Sequence, residues 1–235
     1  MKHHAFFNPR RLLQLLRNDL RINQRPMLIA AATILVFWTL LTLVGNLSPS
    51  LYIFVLYFGG FIVTSRAFKE LHDPELAYHY LTLPCSNFER FLSKWLTTSI
   101  GYAVALLGLF YVFIALRTGF GMFLLHRVTE PFDLFNFRLL NSLGVYIVLH
   151  SMVFLGAVLF KRHALLKTSF FFGSLTLILF MTIGWLGIHF FPYWDPNALH
   201  NLTPLPKIAH FLFWIALAPF FWFVTYLRIA EYEIN

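Results

Sequence analysis

Cysteine is almost missing from this chain: Cys85 stands alone among 235 residues, so no internal disulfide can form and redox chemistry has no support. Charge is scarce as well, at 12% of residues against 59% apolar, a balance that water-soluble domains do not carry. No Gly-Lys dipeptide occurs anywhere, so the chain has no P-loop and does not bind ATP in that way. No Asp or Glu falls inside any long apolar run, which removes the midplane carboxylates normal in secondary transporters. GxxxG motifs, internal repeats and low-complexity tracts are absent too. Histidine is plentiful, with ten, but the pairs His72/His79 and His200/His210 lack the i, i+4 spacing that sets two ligands one turn apart. No carboxylate cluster accompanies them, so a metal site is not expected.

What the chain does have is long uncharged runs, recurring from Met27 almost to the end. They predict an all-α integral membrane protein with six transmembrane helices, at about Met27–Gly45, Leu51–Thr64, Leu96–Leu116, Leu139–Phe160, Thr168–Phe190 and Ile208–Leu227. Spans of about 20 residues and modest loops use up residues 1–235 as a single membrane domain, with no room for a separate soluble catalytic domain. The first run is too long for a signal-peptide core and no small-residue cleavage site follows, so it is expected to be a retained anchor. The second is short, and FGGFIVTSRAFKEL is expected to continue it as one helix into water. NLSPS, Asn46 to Ser50, makes the first two spans a tight hairpin.

Fourteen of the 18 Lys and Arg residues fall on one side of this layout: six before the first span, then Arg66, Lys69, Arg90 and Lys94, then Lys161, Arg162 and Lys167, and finally Arg228. Arg117, Arg127, Arg138 and Lys207 face them. Positive charge collects on the cytoplasmic side, so both termini are expected there, and the net charge of +8 reflects orientation rather than nucleic-acid binding. Trp95, Trp194, Trp222 and Tyr226 suit interfacial anchors, and Pro219 should kink the last span.

Residues 1–26 carry their own helix logic. Asn8 is a good N-cap, Pro9 suits the first helical position, and Leu12, Leu13, Leu16 and Leu20 share a face with Arg17 and Arg21 elsewhere. The expectation is an amphipathic helix in the membrane interface, its arginines near anionic headgroups, with Pro26 allowing a sharp turn into the span. A plain basic anchor is the alternative.

The loop at 65–95 is denser in signals. Asp73 can cap a helix that has Pro74 first and Glu75 at its positive end; running to about Leu81, it would display Asp73, Glu75, Leu76, Tyr78 and Tyr80 as a docking surface or form an ordinary loop. Leu83-Pro84 then holds the chain extended. Ser86-Asn-Phe-Glu89 is a capping box, from which a helix can run through Phe91, Lys94 and Trp95 into the third span.

This order of parts, with Leu83, Pro84, Cys85, Ser86, Glu89, Arg90 and Phe91, resembles the ABC-2 type transporter permeases, whose bacterial members often show Leu-Pro, a small residue, Ser, two residues and Glu-[Lys/Arg]-Phe at this place. The resemblance is most specific over about the first 115 residues and beyond them rests on span count. It implies a subunit of the bacterial cytoplasmic (inner) membrane, not itself an enzyme, acting in an exporter. Its partners would be a second copy of itself or a related permease, and separate ATPase subunits that hold ATP and Mg. The loop after the second span and the N-terminal helix would be where the ATPase docks. A polytopic membrane enzyme or a secondary transporter remains the alternative. His150, the one ionisable residue near a span centre, either lines a path between subunits or bonds to a neighbouring helix. The stretch HFFPYWDPNALHNLTPLP either rests in the headgroups or shapes an outer lid.

Overall fold

The first helix starts at a cap. Asn8 Oδ1 accepts the Arg10 N–H at 3.0 Å and Pro9 takes the opening position of α1 (Pro9–Ile22). The computed structural model describes residues 7–44, 49–125, 137–190 and 215–234, and every regular element among them is helical. The turn expected at NLSPS, the stretch HFFPYWDPNALHNLTPLP, Trp194, His200 and His210 lie wholly or largely outside the described residues.

Between α1 and α2 (Gln24–Val44) there is only Asn23, and the Asn23 and Met27 amides still reach back four residues, to Asp19 (3.2 Å) and Asn23 (3.0 Å). The break between the two helices therefore falls at Asn23 and not at the expected Pro26, with i→i−4 bonds on either side of it. A proline withholds an N–H from the carbonyl four residues before it and crowds that carbonyl, which here belongs to Ile22, the last residue of α1.

The second span also departs from expectation. Helix α3 (Pro49–Ser65) does not continue as one helix into the loop. Ser65 Oγ donates to the Ile62 carbonyl at 2.8 Å, and the Arg66 and Ala67 amides make tightened i→i−3 bonds, to Val63 (3.2 Å) and Thr64 (3.0 Å). The turn buries Phe68, whose ring lies 5.0 Å from that of Phe154. A straight helix would leave that ring elsewhere. Two short helices follow, α4 (Lys69–His72) and α5 (Pro74–Leu81), and then α6 (Asn87–Leu96), a π turn at Thr97–Gly101 and α7 (Tyr102–Leu125). The remaining helices among the described residues are α8 (Phe137–Leu159), α9 (Ala164–Phe190) and α10 (Leu217–Ile234).

Among the described residues five stretches are long and apolar enough to cross a membrane: Gln24–Leu41, Leu51–His72, Asn87–Gly119, Leu139–Leu159 and Ala164–Thr182. The sixth expected span, Ile208–Leu227, begins outside the described residues; its described part opens α10, with Pro219 in the first turn.

Helix α8 is the hub, packed against α3, α9 and α10. Its Tyr146 joins a cluster of Trp38, Tyr52, Leu56, Phe110 and Phe113, while its other end, with Phe154, Ala157 and Val158, meets Phe68, Leu71, Phe91 and Ile229. Lipid is as apolar as leucine, so such helices associate through close packing. Gly156 permits one close approach: a Cβ there would lie 1.7 Å from Thr168 Oγ1 and 2.8 Å from Thr168 Cβ on α9. A β-branched neighbour has little room to yield. We expect Gly156→Ala to destabilise the protein by about 1–3 kcal/mol, read as a lower thermal midpoint in detergent. An unchanged midpoint would contradict this packing of α8 on α9.

Candidate functional site

At the end of the bundle where α4, α5 and α6 meet, charged side chains are buried together. The capping box that starts α6 is formed in both directions: Ser86 Oγ accepts the Glu89 amide at 3.2 Å, and Glu89 Oε2 accepts the Ser86 amide at 2.9 Å. Glu89 has no exposed surface, because its other oxygen is also engaged. Oε1 accepts the Asn8 amide at 2.6 Å and pairs with Arg11 Nη2 at 3.1 Å. One carboxylate thus serves the N-cap residues of two helices, α6 and α1. Arg11 Nη1 also donates to the Pro84 carbonyl at 3.4 Å.

One turn along α6, Lys94 Nζ lies 3.1 Å from Asp19 Oδ1 of α1 and 3.4 Å from Glu70 Oε1 of α4. Ser93 Oγ donates to the second Asp19 oxygen at 3.3 Å. Helix α1 is therefore fastened to α6 near both ends, and α4 joins α6 at the same Lys94. Arg90, almost fully buried, donates to Asn87 Oδ1 (2.9 Å) and the Leu83 carbonyl (3.2 Å), so it fixes the turn before α6. Burial pushes the Cys85 thiol up.

The sequence-predicted docking residues separate. Tyr78 is 70% exposed and Leu76 46%, on opposite flanks of the outward half of α5. Asp73 is exposed at the start of α5; the side chain of Glu75 lies outside the described ones. Tyr80 corrects the expectation. Its ring stacks under Lys94 (5.5 Å) and Arg90 (5.7 Å) and packs on the Phe68 and Phe91 cluster. Burial raises its phenol above the usual range and the nearby Asp19 and Glu70 charges raise it further, so it stays neutral. Tyr80 supports the platform from inside instead of forming its surface.

Histidines serve structure here. His72 Nε2 donates to the Ala157 carbonyl at 2.9 Å and Tyr232 Oη to the Val158 carbonyl at 3.4 Å, meeting two acceptors that the end of α8 leaves open. His150 is fully buried, with Nε2 3.0 Å from Thr98 Oγ1 on the third span, which is the helix-to-helix bond among the two expected roles. Among the described residues no three His, Cys, Asp or Glu side chains gather as a metal site. Trp95 and Trp222, expected as interfacial anchors, pack edge to face at 5.1 Å and join α6 to α10.

The ion pairs were not foreseen. One signal for them exists in the sequence: Asp19 is the only acid in α1, among four arginines when the cap-proximal Arg10 and Arg11 are included with Arg17 and Arg21. Compared with protein-family models, curated proteins and solved structures, the chain matches none of them.

Proposed function

We propose that the chain is the membrane-spanning subunit of an ATP-driven exporter of the ABC-2 permease type, with six spans and both termini in the cytoplasm of a bacterium. The observation that carries the reading is the position of Glu89. The acid of the Leu83–Phe91 stretch joins the start of α1 to the start of the helix that continues into the membrane. A force applied to α1, α4 or α5 then has a direct route into a span. The motor is a separate chain, because this one has no P-loop. A second copy or a related permease completes the substrate path.

In this reading α1 lies in the membrane interface. Leu13, at 67% exposure, and Leu20 turn away from α6 and face lipid, while Arg10, Arg17 and Arg21, exposed on the adjoining side, meet anionic headgroups. The outward half of α5 is where the ATPase docks, with Leu76 and Tyr78 supplying buried contact area.

The test is Leu76→Ala with Tyr78→Ala, leaving Tyr80 native. Insertion and thermal stability should be unchanged, while co-purification of the ATPase in detergent falls at least roughly ten-fold, as for loss of a strong interface anchor. Full binding by the folded double variant would remove α5 as the docking element.

A further inference from the structure

The segment Thr97–Gly101 is where α6 passes into α7, and there the helical ladder slips into a π turn. The Tyr102 N–H, which an α-helix would give to the Thr98 carbonyl, goes to the carbonyls of Thr97 and Ser99. The Thr98 carbonyl is left over inside an apolar stretch. Tyr146 of α8 donates its hydroxyl to that oxygen at 3.0 Å.

One turn further along α8, His150 Nε2 lies 3.0 Å from the Thr98 hydroxyl. That hydroxyl gives its own proton to the Lys94 carbonyl at 2.7 Å, so it accepts from the imidazole, and Nε2 carries the hydrogen. Tyr146 and His150 are four residues apart on one face of α8 and both are fully buried. They grip the same residue, one by its carbonyl and the other by its hydroxyl.

The local sequence suits a joint. Thr97, Thr98 and Ser99 are consecutive, and each hydroxyl bonds back to a carbonyl of the preceding turn: Ser93 at 2.8 Å, Lys94 at 2.7 Å and Trp95 at 2.7 Å. Such bonds compete with the backbone ladder and bend helices. Gly60 of α3 makes space for the clamp, since a Cβ there would lie 2.6 Å from the Tyr146 ring.

We propose that Thr97–Gly101 is a one-residue register switch, held in the π form by Tyr146 and His150 and closing to α-helix when they release Thr98. Closing turns α6 by about 100° and advances it by about 1.5 Å relative to α7, the increments of one residue. Because Glu89 and Lys94 hold α1 and α4 to α6, the platform moves with it. The use of this movement to drive transport rests on the function proposed above; the two registers do not, and their test needs no ATPase.

In a Cys85→Ser background of the full chain in lipid nanodiscs, spin labels at Tyr78→Cys and Val112→Cys, both exposed positions, report the distance from platform to α7. The parent should give one distance. Closing the π turn with its extra residue retained should give a second distance, offset by roughly 5 Å for a side chain carried round the helix axis, whereas deleting Gly101 removes the extra residue, leaves a plain α-helix in the parental register and should keep the parental distance. Tyr146→Phe keeps the ring and loses the hydroxyl's bond to Thr98 together with its contact to the Thr64 hydroxyl, so it should populate the second distance beside the first. Thr98→Val, which releases His150, should do the same, and keeps the test open if the deletion variant does not fold. A parental distance distribution in both Tyr146→Phe and Thr98→Val would overturn the switch.

Discussion

Glu89→Ala is expected to destabilise the protein by about 3 kcal/mol and to release α1 from α6. The carboxylate accepts from the Ser86 and Asn8 amides and pairs with Arg11, so its loss leaves three donors behind in a site without exposed surface. Arg11 keeps 24% exposure and can be rehydrated, which holds the cost below that of breaking a fully buried pair. Ser86→Ala is the control. It removes the cap on α6 and leaves the link to α1, so about 1 kcal/mol is expected and α1 should stay docked. Hydrogen exchange of the α1 amides separates the two variants: protection should collapse in Glu89→Ala and persist in Ser86→Ala. Equal protection in both would mean that Glu89 does not hold α1.

Lys94→Met is expected to cost about 2–3 kcal/mol, and the loss should be largely reversed by adding Asp19→Asn and Glu70→Gln. Lys94 is the shared cation of two carboxylates, at 3.1 and 3.4 Å, and sits over the Tyr80 ring. Without it the two acids repel across a poorly hydrated space. Neutralising all three residues removes the conflict together with the bridge. Thermal unfolding of the single and triple variants in detergent is the measurement. A triple variant no more stable than Lys94→Met would show that the lysine acts through its packing instead of its charge.

Local signals in the sequence were legible because their physics is local. Asn8-Pro9, Pro74 and Ser86 with Glu89 each start a helix, and a cap acts within about four residues of itself. The burial of Tyr80 was not legible, because the Arg90 and Lys94 side chains that cover its ring come from α6 and not from its own helix. Pro26 marked the right junction but acts on the carbonyl four residues earlier. What no local pattern carries is the joining of Asp19 to Lys94, 75 residues apart, or the burial of Phe68 that turns the chain at 66–68. The first depends on how α1 packs on α6, and the second on where Phe154 of α8 stands.

The proposed partnership with a separate ATPase is open to a test by ATP hydrolysis in reconstituted liposomes. The tagged protein, purified from its native membrane in mild detergent, should bring with it a P-loop ATPase in fixed proportion, and hydrolysis should rise when the two are reconstituted together compared with the ATPase alone. Leu76→Ala with Tyr78→Ala should remove both the companion and the stimulation. A chain that purifies by itself, with no P-loop companion and no effect on ATP hydrolysis, would rule out a subunit of an ATP-driven exporter.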